Sequence, residues 1–589
     1  MLELKNVSLP ANRPGEEAWL LHEISARFPP GHLCAIVGPS GSGKSTLLKL
    51  IAGIRVPEEG SVHWHGRDLE EEDLEPQEIG YVPQFAVAYD QLSILESVVT
   101  ALRLRVGGLD GDERQERARA LVRDVGLEEI GDRRVRILSG GQKRRLALAL
   151  EMVSAPVLLL CDEVTSGLDA KAEDEVVRLL RGLAVPPGIE TTERLRTVLS
   201  VTHSLRHLQL HDGVVVLYEG HLVFHGPTGL LCHYFDIPST EELFPALGRR
   251  HVEEWHEAWQ LHRASYQAAF HDAEQDVARA QDTPIESLPY DFDYSSGMLS
   301  AGRVDFQPPR WHAQFATLLA RRWRILLRDR GQLALQIALL AGFPGLVVIF
   351  AWDGLPQIQN LTSTGNAVQQ LLESAAYAVH ASKVAGLVSG LVMFQVILLT
   401  LTASNNAARE IAGERPIFEK EKFAGVRPSS YVASKAAFLA VLVAAQSTWM
   451  AVFVNTICQF PGDLGGQITI LVLVNAAMTA VCLGISSVMK SAEQSSLLSV
   501  YLVGFQLPLS GAVLALPRVI GWITQPFIAA YWGWSGYLQT MRDTRFYDVV
   551  QGVSQTELNP FTVCCWVLCS HVIAGLLLAY LGAKHSRWE

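Results

Sequence analysis

Charge is scarce in this sequence. Asp, Glu, Lys and Arg make up only 19% of the residues, against 49% hydrophobic, and the mean hydropathy is +0.18. A soluble protein throughout would carry more charge, and 589 residues exceed what one core can hold, so several domains are expected. No Lys/Arg-rich tract stands out in the first half and the formal net charge is −12, which argues against a nucleic-acid partner. Cysteine is sparse too. Cys34, Cys161, Cys232, Cys458, Cys482, Cys564, Cys565 and Cys569 fall singly or inside apolar runs, without metal-ligand spacing. They read as buried free thiols rather than a disulfide framework. No signal-peptide pattern is seen, because residues 1–5 enter a strand-like alternation at once; insertion then falls to a later apolar segment. No acidic residue sits in the middle of a long apolar run, so proton coupling is not suggested.

What is present begins with a phosphate loop. The apolar run 33–37 reads as a short buried strand and 46–52 as a helix. Between them stand Gly38, Pro39, Ser40, Gly41, Ser42, Gly43, Lys44, Ser45 and Thr46. In that setting the glycines let successive backbone N–H groups turn inward on phosphate, and the helix N-terminus adds its partial positive charge. Lys44 would neutralise β- and γ-phosphate oxygens, and the Ser45 hydroxyl would ligate Mg²⁺. The chain is expected to bind a nucleoside triphosphate.

Further motifs follow in order. The strand-like run 79–82 leads to Gln84. Ser139, Gly140, Gly141 and Gln142 open a helix. The apolar run 157–161 ends in Asp162 and Glu163, Ser166-Gly167-Leu168-Asp169 comes next, and 198–202 ends at His203. Asp162 is placed to hold Mg²⁺, Glu163 to polarise the attacking water, Gln84 to contact both, and His203 to hold Glu163 in line with the γ-phosphate. Ser139, Gly140 and Gly141 offer a second set of bare N–H groups. Each motif alone is an ordinary turn or strand end; their joint order is what carries weight.

In that order they resemble the ATPase domain of ATP-binding cassette (ABC) transporters, over roughly residues 1–235. The resemblance implies catalytic roles for Glu163, His203 and Gln84, and ATP held by residues 38–46. It implies Mg²⁺ on Ser45, Gln84 and Asp162, and Asp169 in the D-loop. It also implies that the signature residues 139–142 of one copy close over the nucleotide of a second copy, which makes a homodimer. Two positions depart from the family. Leu9 stands near the usual adenine-stacking aromatic, leaving Trp19 as a substitute or a core residue, and Val164 replaces the usual Pro.

Residues 218–227, His233-Tyr234-Phe235 and the ATPase-first order narrow the resemblance to the G subfamily, the white, sterol and multidrug half-transporters. The implied organisation is an α/β P-loop ATPase domain over 1–238 and an acidic linker over 239–309, with a helix from about 253 to 280. A basic amphipathic connecting helix over 310–330 comes next, and then an all-α six-span transmembrane domain over 331–589. The spans are expected at about 333–352, 384–404, 432–457, 467–489, 496–516 and 562–583. Basic residues before the first run, between the second and third and after the last put those sides, the ATPase and both termini in the cytosol. The segment at about 410–430 resembles the subfamily's coupling segment. It is expected to be a helix docking near Gln84, with Glu414, Arg415, Phe418 and Glu421 carrying the contact.

Trp522, Tyr531, Trp532, Trp534 and Tyr537 predict an interfacial or re-entrant helix between the last two runs. Without cysteines there, and with no long N-terminal extension, the resemblance favours a bacterial inner-membrane member, in which the sequon at Asn360 is silent. Gln395, Asn405, Asn406, Gln446, Asn475 and Gln506 either line a path or join helices. The expected activity is ATP-driven export of a lipid, sterol-like or amphipathic molecule. A membrane-anchored ATPase that extracts lipid, and one half of an obligate heterodimer, stay open as alternatives.

Overall fold

The computed structural model describes residues 1–11, 19–72, 74–84, 88–184, 195–280, 307–352, 355, 374–512, 517–544, 547, 550–551 and 556–586. These fall into two compact units. One comprises Met1–Ala313 together with Lys420–Val426; the other comprises Gln314–Glu419 and Arg427–Ser586. The expectations for 281–306 and for the Asn360 sequon lie outside the described residues.

Among the described residues, the first unit is built on ten strands: β1 Leu2–Pro10, β2 Trp19–Phe28, β3 Leu33–Val37, β4 Glu59–Trp64, β5 Arg67–Asp68, β6 Ile79–Val82, β7 Leu158–Asp162, β8 Thr197–Val201, β9 Gly213–Tyr218 and β10 His221–Pro227. Their order is β5-β4-β1-β2-β10-β9-β3-β8-β7-β6. The β9-β3-β8-β7-β6 stretch is parallel, and its strands are apolar nearly end to end because helices cover both faces. β1 instead alternates and pairs antiparallel with β2 and β4. In a parallel sheet all carboxyl ends point the same way. The loops after β3, β6, β7 and β8, which carry the phosphate loop, Gln84, Asp162-Glu163 and His203, therefore meet along one edge.

Helices start where the sequence supplies caps. Ser93 with Glu96, Asp110 with Glu113 and Ser139 with Gln142 each form a reciprocal capping box, opening Ile94–Arg105, Gly111–Asp124 and Gly140–Met152. The compact unit runs on past the boundary expected at 238. Leu243, Ala246, Leu247, Trp255 and Trp259 belong to the same core as β10, so the helix Val252–Ala280 begins as part of the ATPase body.

The second unit is helical. Among the described residues, five helical stretches are long and apolar enough to cross a membrane: Arg330–Ala351, Lys383–Phe423, Pro428–Cys458, Leu464–Val488 and Phe561–His585. The second of them takes in the helix Ser374–Ala407 from Lys383 on, followed by a separate short helix, Arg415–Phe423. Of the run expected at 496–516, residues 513–516 lie outside the described residues; the rest falls mainly in the helix Ala492–Leu509, whose first turns hold Glu493, Gln494 and two serines and which is not among the five. Small residues seat the last two of the five. A Cβ on Gly575 would lie 2.4 Å from the Ala480 carbonyl carbon, and one on Gly582 2.2 Å from Ser487 Oγ.

Polar residues in the spans mostly satisfy one another. Gln336 donates to Asn406 (2.8 Å), Asn406 to Gln446 (2.9 Å) and Gln446 back to Gln336 (2.8 Å), a closed ring of three amides on three helices. Asn475 donates to Ser447 (3.0 Å), and Gln506 accepts from the Ala530 amide (3.0 Å). The aromatic cluster turns inward rather than to an interface. Tyr531, Trp532, Trp534 and Tyr537 are buried on Ala529–Gln539, and of the five expected only Trp522 is exposed.

Candidate active site

The phosphate loop needs glycine at two places for steric reasons. A Cβ on Gly38 would sit 2.1 Å from the Leu217 carbonyl oxygen. Gly43, the N-cap of Lys44–Ile51 at φ 94, would bring one within 2.7 Å of the Leu20 carbonyl oxygen. Lys44 curls back over the loop and donates to the carbonyls of Gly38 (2.9 Å) and Pro39 (2.8 Å). Burial lowers its pKa, and Glu163 and Asp162 act against that. The Ser42 hydroxyl is buried in the loop without a hydrogen-bond partner, as a group reserved for a ligand oxygen would be.

Asp162 closes β7. Its Oδ1 accepts from Ser45 Oγ at 2.8 Å and its Oδ2 from the Tyr81 hydroxyl at 3.2 Å. Burial pushes its carboxyl above the usual carboxylate range, although both hydrogen bonds pull the other way. A buried carboxylate beside a serine hydroxyl is a hard-oxygen pair that suits Mg²⁺.

Glu163 follows with a positive φ of 49°, a conformation that few side chains adopt, which turns its carboxylate off the strand direction. Gln84 Nε2 donates to its Oε2 at 2.7 Å, and His203 Nε2 lies 2.7 Å from its Oε1. Gln84, Glu163 and His203 are thus brought together, as are Ser45 and Asp162. Tyr81 escaped the sequence reading. It sits in Ile79-Gly80-Tyr81-Val82, on the strand beside Asp162's own, and that adjacency comes from the fold rather than from the sequence.

The signature turn stands apart. Ser139 and Gly140 face solvent, and Ser139 and Gln142 spend their side chains on each other. Asp169 caps the next helix by accepting from the Ala172 amide (2.8 Å), and Leu168 lies beside Gly140 and Gly141. A cavity of about 410 Å³ opens next to His203, walled by Leu168, Glu173, Arg206 and Phe244. Trp19 is 37% exposed at the start of β2, next to the Leu20 that touches Gly43, so it is not a core residue. Leu9 pairs with Leu21 against the core.

The expected coupling residues divide. Glu414 pairs with Lys435 (2.6 Å). Arg415 donates to the carbonyls of Ser487 (2.6 Å) and Met489 (2.7 Å). Phe418 stacks on Tyr431 at 4.0 Å. These three lie in the second unit, while Glu421, whose carbonyl accepts from the Val426 amide (2.9 Å), lies in the first.

This site and sheet define a P-loop ATPase, and the chain belongs to the ABC transporters. Residues 21–166 match the ABC transporter family model and residues 313–539 the ABC-2 type transporter model, so an ATPase domain that binds and hydrolyses ATP precedes a membrane domain of the ABC-2 type. The chain is 29% identical, over 97% of its own length, to the ABC transporter ATP-binding/permease protein Rv1747 of Mycobacterium tuberculosis, and spans 61% of that protein. It is 33% identical to the methionine import ATP-binding protein MetN of Latilactobacillus sakei, over 41% of this chain and 68% of that one. The sulfate/thiosulfate import ATP-binding protein CysA of Pseudomonas putida is 32% identical over 42% of this chain and 72% of its own. The dimeric ATP-binding cassette MJ0796 bound to ADP and Pi is 29% identical, covers 39% of this chain and 99% of its own, and superposes with a TM-score of 0.35.

Proposed function

We propose that the chain is one half of a homodimeric exporter that uses ATP to move a lipid, sterol-like or amphipathic molecule across a bacterial inner membrane, with its ATPase and both termini in the cytosol. The observation that carries the ATPase part is the clamp on Glu163. Two donors at 2.7 Å fix its carboxylate at the edge where the phosphate loop ends. In this reading Lys44 and the residues 38–46 hold the phosphates, and Ser42 Oγ takes a phosphate oxygen. Glu163 accepts a proton from the attacking water, and Gln84 and His203 keep it aimed. Mg²⁺, held by Ser45 and Asp162 with Gln84 alongside, would neutralise charge on the phosphate oxygens. The solvent-facing Ser139–Gly141 turn then serves the partner copy's nucleotide rather than its own. Segment 410–430 conveys closure of the ATPase pair to the spans, through Glu414, Arg415, Phe418 and Glu421.

Support for an apolar cargo comes from the bundle. Three of its amides are consumed by each other in the Gln336–Asn406–Gln446 ring, so those groups are withheld from a polar solute, while Gln395, buried in the same bundle, stands outside that ring. The test mixes two inactive chains, Lys44→Met and Gly140→Asp. Shared sites restore one intact site in each mixed dimer, so ATPase activity should return on co-assembly. A mixture as inactive as its parts would refute the shared-site reading. Lipids retained by the Glu163→Gln protein, identified by mass spectrometry, test the cargo class; retention of polar metabolites alone would contradict it.

A further inference from the structure

Glu151 lies at the opposite end of the signature helix Gly140–Met152 from its Ser139 cap, and the reaction as described so far does not use it. Arg105 Nη1 approaches its Oε2 at 3.2 Å and Arg105 Nη2 its Oε1 at 3.3 Å, while Lys420 Nζ lies 2.9 Å from Oε1. None of the three side chains is more than 6% exposed. Lys420 opens the segment Lys420–Val426 that belongs to the first unit. Further along it, Phe423 packs on the larger core, and a Cβ on Gly425 would meet Pro76 Cβ at 3.4 Å. Glu151 also adjoins the strand that leads to Gln84, since a Cβ on Gly80 would lie 3.3 Å from Glu151 Cβ. One side chain therefore joins the Gln84 strand, the signature helix and the 420–426 segment.

Stability alone does not account for the second cation. Arg105 already neutralises Glu151, and burying Lys420 as well incurs the desolvation of another charge with no further neutrality gained. A helix of 13 residues is a rod of roughly 20 Å, so a displacement held at Glu151 reappears at Ser139.

We propose that Glu151 is a positioning residue for ATP hydrolysis: through its ion pair with Lys420, the 420–426 segment sets the placement of the signature helix and hence of the Ser139–Gly141 N–H groups. This rests on the coupling reading of segment 410–430. The test uses the full chain in lipid nanodiscs. Lys420→Ala leaves the Arg105–Glu151 pair neutral and intact, so the fold is retained. Its kcat for ATP should fall about tenfold while binding of a fluorescent ATP analogue stays within about twofold, and Lys420→Arg should recover most of the turnover. Turnover unchanged in Lys420→Ala overturns the inference. So does an equal loss in Lys420→Arg, which would assign the effect to packing, and so does lost nucleotide binding, which would assign it to the fold. Arg415→Ala separates the two levels. If it still cuts turnover while Lys420→Ala does not, only this inference falls; if both are neutral, the coupling reading falls with it.

Discussion

Replacing Glu163 with glutamine changes a proton acceptor into an amide of the same size, and the geometry around it sets the scale of the effect. Both carboxylate oxygens act as acceptors, one from Gln84 Nε2 and the other facing His203 Nε2, each at 2.7 Å. An amide carries no charge and offers only one oxygen, so the charge assistance of both bonds is lost, and His203 keeps a partner only by accepting from the NH₂ group through an unprotonated ring nitrogen. The aim of the side chain loosens as its basicity disappears. Loss of a general base alone slows turnover by about 10²–10⁴, which is about 3–5 kcal/mol of barrier. Nucleotide binding should survive, because Lys44, Ser42 and Ser45 make none of their contacts through residue 163. The assay is phosphate release by the purified full chain, run beside retention of radiolabelled ATP after gel filtration. At least a hundredfold slower release with ATP retained is expected. Release at more than about a tenth of the wild-type rate would refute the assignment of the base.

Tyr81→Phe removes the 3.2 Å bond to Asp162 and should weaken the Mg²⁺ dependence of turnover about fivefold without changing Mg²⁺-free ATP binding; an unchanged Mg²⁺ titration would count against the site. Gly575→Ala drives a methyl into the Ala480 backbone and should cost about 1–3 kcal/mol, read as a lower melting temperature in detergent; an unchanged melt would contradict the close packing. His225, fully buried beside Phe28, has its pKa pushed down by burial to about 4, against an ordinary value near 6.5. Stability from the neutral ring is therefore complete above pH 6.5 and is lost as pH falls towards 4, by about 3 kcal/mol at most. His225→Phe should flatten that acid limb in pH-dependent melts, and an unaltered limb would show that another group controls it.

Much of the nucleotide site was legible because its chemistry is linear in the chain. A glycine-rich turn after a buried strand, and carboxylates at the end of another, name their own neighbours, and a parallel sheet gathers such ends on one edge. Tyr81 was not legible. A tyrosine inside an apolar strand looks like core until the register of β6 against β7 sets it opposite Leu160, two residues before Asp162, where its hydroxyl reaches that carboxylate. The aromatics 531–537 misled for a related reason: tryptophan and tyrosine suit both an interface and a tight bundle, and glycines at 533 and 536, too close to Val474 and Ile470 to carry a Cβ, decided for the bundle. The run expected at 496–516 is described only in part: the helix Ala492–Leu509 opens on glutamate, glutamine and serine that precede the expected run, and residues 513–516 lie outside the described residues.

Trp255 and Trp259 lie over Phe224, Tyr234 and Phe235, with Phe235 5.1 Å from the Trp255 ring and Phe224 5.8 Å from that of Trp259. Tyr266 continues the stack, 5.6 Å from the Phe224 ring and 5.3 Å from that of Tyr234, so anyone expressing the catalytic half by itself must keep the polypeptide through at least that residue. Stopping at the last strand would strip an aromatic lid from the domain and leave a sticky patch in its place, and the aggregation that followed would say nothing about the enzyme.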